Sequence, residues 1–108
     1  MSDISQETER KEMYLKIHQH EVETLIAVCD CDILGKKFSE GRLKIEVTAD
    51  FFGGEKVSSS EVAEALKRAT MANFVGCKTV EHAISLGYVE RDSTLSIGGV
   101  LCAQMVRM

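Results

Sequence analysis

The stretch Met71-Ala-Asn-Phe-Val-Gly76 decides the fold, because it reads as a short apolar strand held between two helical segments. Upstream, Ser58 and Glu61 have the spacing of a capping box, in which each side chain satisfies the other's orphan backbone N–H. Val62, Ala65, Leu66 and Ala69 then fall at i, i+3, i+4 and i+7, a narrow apolar stripe toward a core. Glu64 and Arg68 sit i, i+4 on the outside of the same helix. Downstream, a shorter helix over residues 79–86 carries Val80, Ala83 and Ile84 inward and meets its C-cap at Gly87. Residues 95–97 and 100–107 read as closing strands broken at Gly98-Gly99. Helix, strand, helix and a final strand describe an α+β unit.

Working outward toward the N-terminus, residues 1–12 are polar with one isolated apolar residue, Ile4, and read as a mobile tail or a frayed helical start. The expected domain spans residues 13–108. Met13, Leu15 and Ile17 alternate with Tyr14, Lys16, His18 and His20, the pattern of a half-buried strand. Residues 23–29 form a second apolar strand, joined to the first through a turn near residues 19–22. Residues 34–38 and 42–48 read as a hairpin around Ser39-Glu40-Gly41, with Leu43, Ile45 and Val47 on one face. The predicted order is β-β-β-β-α-β-α-β: a mostly antiparallel or mixed sheet with two helices, the last strand returning to the N-terminal sheet. Val62, Leu66, Val80, Ile84, Ile17, Leu43 and Ile45 are the expected core.

Composition excludes several classes. The chain has 108 residues, 44% hydrophobic and 28% charged, which suits one globular domain rather than a disordered segment. The longest apolar run, Leu25 to Cys29, is far too short to span a bilayer, and residues 1–6 lack the basic and apolar regions of a secretory signal. The expected location is therefore cytoplasmic, with reduced cysteines and no membrane partner. A net charge of −4 opposes broad, non-specific attraction to nucleic acid.

Five segments together resemble a known family: Met13-Tyr-Leu-Lys-Ile17, Leu34-Gly-Lys-Lys-Phe-Ser-Glu-Gly41, Phe51-Phe-Gly-Gly-Glu55, Ala72-Asn-Phe-Val-Gly76, and Ile97-Gly-Gly-Val100 followed by Ala103-Gln104. In combination they are similar to the small archaeal family DUF 424, over residues 13–108. The resemblance implies one short cytoplasmic α+β domain of archaeal type. The family is of unknown function, so no catalytic residue is carried over.

Chemistry-bearing residues are few. Cys29 and Cys31 form a C-x-C pair, but Cys77 and Cys102 are distant and no C-x₂₋₄-C knuckles accompany them. Buried free thiols are the simpler reading of Cys29, Cys77 and Cys102; Cys31, between Asp30 and Asp32, is expected to be exposed and a poor nucleophile. His18 and His20 share a strand face and could offer two imidazoles, with Glu21 as a third ligand. Two ligands do not close a metal site, so a solvated strand end entering a turn is preferred. Gly53-Gly54 and Gly98-Gly99 match no phosphate-binding loop and read as turns or a bulge. No catalytic set and no cofactor motif is present, and the chain does not read as an enzyme.

One charge feature stands out. Lys36, Lys37, Arg42 and Lys44 lie within nine residues on the expected hairpin, opposed by Glu40, and Phe51 and Phe52 follow. A basic hairpin with a nearby aromatic, Phe52 here, has the parts to meet RNA phosphates and stack a base. Four cations on a hairpin also suit a solvated edge that resists aggregation. The functional expectation is a binding module with RNA or ribosomal components as partner. The alternatives are a metal- or thiol-dependent enzyme and a protein-binding adaptor.

Overall fold

Residues 10–107 are described by the structure, a computed structural model. Two strands open the chain, β1 (Lys11–His20) and β2 (Glu23–Asp30), joined by the two-residue turn Glu21-Val22. The hairpin β3 (Lys37–Glu40) and β4 (Leu43–Glu46) follows, then the single-turn helix α1 (Ala49–Phe52) and strand β5 (Glu55–Ser58). Helix α2 (Ser59–Leu66), strand β6 (Met71–Val75) and helix α3 (Cys77–Ser85) come next, and β7 (Leu95–Ile97) and β8 (Val100–Val106) close the chain. The fold is α+β and roughly follows the predicted order, with two short elements added, α1 and β5, a third helix in total, and the closing strand divided into β7 and β8. The tail reading falls mostly on residues 1–9, outside the described residues; Lys11 and Glu12 belong to β1.

Six strands form one mixed sheet in the order β5-β1-β2-β6-β8-β7, and β3-β4 form a separate two-stranded sheet. Only β2 and β6 run parallel, in the register Leu25↔Met71 to Cys29↔Val75. A parallel pair needs a long crossover connection, and residues 31–70 supply it, crossing one face as the hairpin and α1 and returning over the other as α2 after the edge strand β5. Because successive side chains alternate, the strands β1, β2, β6 and β8 of the large sheet feed two cores. On one face Met13, Leu15, Ile26, Val28, Phe74 and Met105 pack under α2 and α3 with Val62, Leu66 and Val80. On the other face Ala27, Cys29 and Val75 lie under Val47 and Phe52, with Phe38, Ile45 and Phe51 packed around them. The molecule is thus three layers: two helices, the large sheet, and a thin cover made of the hairpin and α1.

The helices are held at their starts. The capping box of α2 is present: Ser58 Oγ accepts from the Glu61 N–H and Glu61 Oε1 accepts from the Ser58 N–H. Glu64 pairs with Lys67 at 2.9 Å rather than with Arg68. The start of α3 has no cap of its own, since Gly76 stands in the N-cap position with φ 112°. Asp30, at the end of the neighbouring parallel strand β2, fills that role from across the sheet: its Oδ2 accepts from the Lys78 N–H at 3.1 Å and its Oδ1 from the Thr79 N–H at 2.8 Å. A Cβ on residue 76 would collide with the Asp30 carboxylate, so the position requires glycine twice over, by space and by backbone angle.

Two of the expected core residues lie elsewhere. Val62, Leu66 and Val80 are fully buried, and Ile45 and Ile84 are half-buried against the cores. Ile17, however, is 47% exposed and Leu43 is 45% exposed. Ile17 points to the helix face, but α2 ends at Leu66 and leaves that end of β1 uncovered beside Ala65 and Arg68. Leu43 is at the tip of the hairpin, opposite Glu40, and belongs to neither core. In both cases the strand period is right and the covering layer stops short.

Candidate nucleic-acid interface

The hairpin owes its position to two apolar side chains and one hydrogen bond. Phe38 and Ile45 are cross-strand partners and pack onto the sheet. Glu40 Oε1 accepts from the Gly98 N–H at 2.9 Å, tying β3 to the β7–β8 turn. Gly98 has φ 59°, and a Cβ there would stand 2.9 Å from the Ser39 carbonyl oxygen, so this close approach depends on glycine. Beyond the hairpin, Gly35 and Val47 extend the pairing: the Gly35 N–H donates to the Val47 carbonyl at 2.6 Å and the Val47 N–H to the Lys36 carbonyl at 2.9 Å.

All four predicted cations are exposed. The register Lys37↔Glu46 and Ser39↔Lys44 sets Lys37 and Lys44 on the face opposite Phe38 and Ile45, as diagonal neighbours turned away from the sheet. Lys36 precedes β3, and Arg42 occupies the turn. Among the described residues no carboxylate pairs with any of the four, whereas Lys11, Lys67, Lys78 and Arg91 each hold one. Residues 36–46 contain four cations and two carboxylates, net +2; with the whole chain at −4, the remainder stands at −6. The hairpin is therefore a net-positive segment within an acidic chain.

The aromatic assignment changes. Phe52 is 4% exposed: its ring belongs to the core beneath the cover, at the inner end of the groove described below, and offers no open face on the hairpin surface. Phe51 is the accessible ring: it stacks on His18, with ring centroids 4.8 Å apart and planes 21° from parallel, and meets Phe52 edge-on at 5.0 Å. His18 Nε2–H donates to the Phe51 carbonyl at 2.9 Å, and Lys16 Nζ donates to the Asp50 carbonyl at 2.7 Å. Two alternate residues of β1 thus occupy the carbonyl end of α1, where orphan acceptors need donors, and fix the Phe51 ring in place.

Next to that ring the cover is incomplete. A groove of about 680 Å³ opens over β6 and β8, walled by Ile45, Phe51 and Leu95 and floored by Asn73, Cys102 and Gln104. Asn73 and Gln104 face each other across the strands, and Gln104 Nε2 donates to Asn73 Oδ1 at 2.9 Å. Sequence reasoning missed this site, because two amides 31 residues apart carry no motif and only strand pairing unites them.

The metal candidates do not come together. His18 spends its Nε2–H on α1, and His20 is exposed at the strand end with Glu21 at 3.8 Å. Among the described residues no three His, Cys, Asp or Glu side chains converge. Cys29 is fully buried; burial first, then the charge of Asp30, pushes its thiol up to about 12. Burial also raises the Cys31 thiol, which is half-buried with Sγ 3.8 Å from the Lys11 carbonyl, and the Cys102 thiol in the groove. The exposed cysteine is Cys77, contrary to its reading as buried, because it occupies the first turn of α3 on the side away from the core. His82 is engaged structurally, its Nε2–H donating to the Ser59 carbonyl at 2.8 Å and linking the two helices.

No helix among the described residues is long and apolar enough to cross a membrane. No curated protein matches the chain. A crystal structure of an uncharacterized conserved protein from Methanopyrus kandleri has a similar fold, with a TM-score of 0.73 at 20% identity over 89% of this chain and 94% of that one. The family model of DUF424, described as a protein of unknown function, matches residues 17–108. Matched over most of its length, the chain belongs to the DUF424 family.

Proposed function

We propose that this chain is a cytoplasmic, non-enzymatic binding module whose ligand is RNA, in free form or within ribosomal particles. The observation that carries the reading is the local positive charge: four exposed cations, unpaired among the described residues, lie on one hairpin of an acidic chain. Phosphate groups attract such a patch, while the net acidity of the rest of the sequence opposes non-specific contact with nucleic acid. Phe51, beside the hairpin, adds a ring of the kind on which single-stranded bases stack. A role in thiol chemistry has less support, since burial raises the thiol in the groove and lowers its thiolate fraction. The Methanopyrus kandleri relative of the fold favours an archaeal setting.

The test is a salt titration of binding to mixed-sequence RNA and to ribosomal particles. Reversing Lys37 and Lys44 to Glu should weaken binding and flatten the salt dependence by about one unit or less per contact removed. Both side chains are solvated, so the melting temperature should change little. Binding that ignores the reversal would displace the site; absence of any binding at low salt would favour a protein-binding adaptor.

A further inference from the structure

We infer that the groove over β6 and β8 is a nucleobase subsite, in which a base of single-stranded RNA lies against Phe51 and is read along its edge by Asn73 and Gln104. The inference rests on the RNA reading above and adds to it a contact independent of charge. Its strongest support is unspent hydrogen-bonding capacity. Gln104 Nε2 uses one of its two hydrogens on Asn73 Oδ1. Among the described residues, Asn73 Nδ2 and Gln104 Oε1 have no partner. A side-chain donor and a side-chain acceptor are thus held side by side on a sheet floor, each oriented by the bond between them. Carboxamides recognise bases through such an N–H and C=O set, by pairing with the polar edge.

The walls fit the same occupant. Ile45, Leu95 and Phe51 are apolar and suit the faces of a flat ring, and His18 and Phe52 keep Phe51 from rotating away. At about 680 Å³ the groove is within the roughly 300–1,000 Å³ range of small-ligand sites. An apolar peptide side chain is the poorer occupant. It would cover the Asn73 N–H and the Gln104 C=O without pairing them, and each stranded group carries a desolvation penalty. Strand addition is closed to a peptide inside the groove as well, because β6 and β8 already pair with each other there and β8 also pairs with β7. Ile45 links this subsite to the basic hairpin: it lines the groove while Lys44, one residue earlier, lies on the opposite face of β4.

Asn73 is the only asparagine in the chain, so its side-chain amide gives one pair of signals on a single nitrogen, assignable apart from the glutamine pairs, in an NMR spectrum of ¹⁵N-labelled protein. Titration with uncharged nucleosides (adenosine, cytidine, guanosine and uridine, each separately) should move that pair saturably for at least one of them. Gln104→Ala should weaken this binding about tenfold or more, the scale of one lost base-edge pair, without changing the dispersion of the backbone spectrum. Raising the salt should leave nucleoside binding nearly unchanged, because no phosphate is involved. If no nucleoside moves Asn73 while RNA binding still responds to the Lys37/Lys44 reversal, the subsite is refuted and the hairpin reading survives. If nucleosides bind at Asn73 but RNA ignores the reversal, the subsite stands and the hairpin reading falls.

Discussion

Asp30 Oδ1 accepts both the backbone N–H and the hydroxyl of Thr79, each at 2.8 Å, so the last residue of β2 caps a helix 49 residues further along the chain. Asp30 is 7% exposed and Thr79 is buried, and the pair sits at the carboxyl ends of the two parallel strands. Such an end is where a helix N-terminus attracts an anion. Here the protein supplies its own carboxylate. Asp30→Ala removes the cap and strands the Thr79 hydroxyl, with an expected cost of roughly 2–3 kcal/mol. Thr79→Val, which deletes one of the three bonds and leaves the two backbone donors served, should cost about 1 kcal/mol. Urea unfolding of the two variants reads the difference, and equal losses would refute the capping role.

Leu66 is fully buried at the centre of the helix-side core, whereas Ile17 and Leu43 are each nearly half exposed. Leu66→Ala should destabilise by about 2–5 kcal/mol. Ile17→Ala and Leu43→Ala should each stay below about 1 kcal/mol, since little apolar area returns to water. Thermal denaturation of the three variants would show whether the helix layer ends where α2 ends.

Lys11, donating to Glu61 at 2.8 Å, and the Ser58 N–H hold the Glu61 carboxyl down to about 2 from its usual 4.5. A carboxylate whose folded value is depressed stabilises the fold above its unfolded value. That contribution is lost as the pH falls from about 4.5 through about 2. The stability gap between the parent protein and Glu61→Gln should therefore be constant near neutrality and close across that acid window. Because both partners are on the surface, added salt should narrow the gap. Denaturant midpoints between pH 7 and 2 measure both effects.

The four cysteines should react in order of access. Cys77 is exposed, Cys31 and Cys102 are half-buried with thiols raised by burial, and Cys29 is sealed with its thiol at about 12. With a maleimide at pH 7.5, mass spectrometry should find Cys77 modified first and Cys29 modified only after unfolding. Early labelling of Cys29 would place it outside the core.

The elements legible from residue order are those whose determinants are local. Ser58 and Glu61 announce α2, the alternation from Met13 announces β1, and Gly41 marks the turn of the basic hairpin. Strand β5 and helix α1 escaped because neither shows a period: β5 has Val57 as its one apolar residue, and in α1 the two phenylalanines are adjacent. The cap from Asp30 escaped for a different reason: it acts across a strand pair that no short window contains. The cations of the candidate interface were visible in the chain, since they are neighbours in sequence. Its amides were not, since Asn73 and Gln104 become neighbours only when β6 and β8 pair. Ile17 and Leu43 were misplaced because period identifies a face and says nothing of how far the layer above extends.

The cover that carries the cations is lightly fastened. Two four-residue strands and a one-turn helix rest on Phe38, Ile45 and Phe52, with Glu40–Gly98 and the two donors from β1 as pins. Beneath it, Ile26, Val28 and Phe74 belong to a sheet packed on both faces. The two parts therefore differ in the free energy needed to expose their amides. Amides of residues 37–46 should exchange with deuterium through small excursions that lift the cover alone, and those of Ile26, Val28 and Phe74 through unfolding of the whole domain. A ligand bridging hairpin and groove would couple the two, and would register as slowed exchange in the cover long before it changed the centre of the sheet.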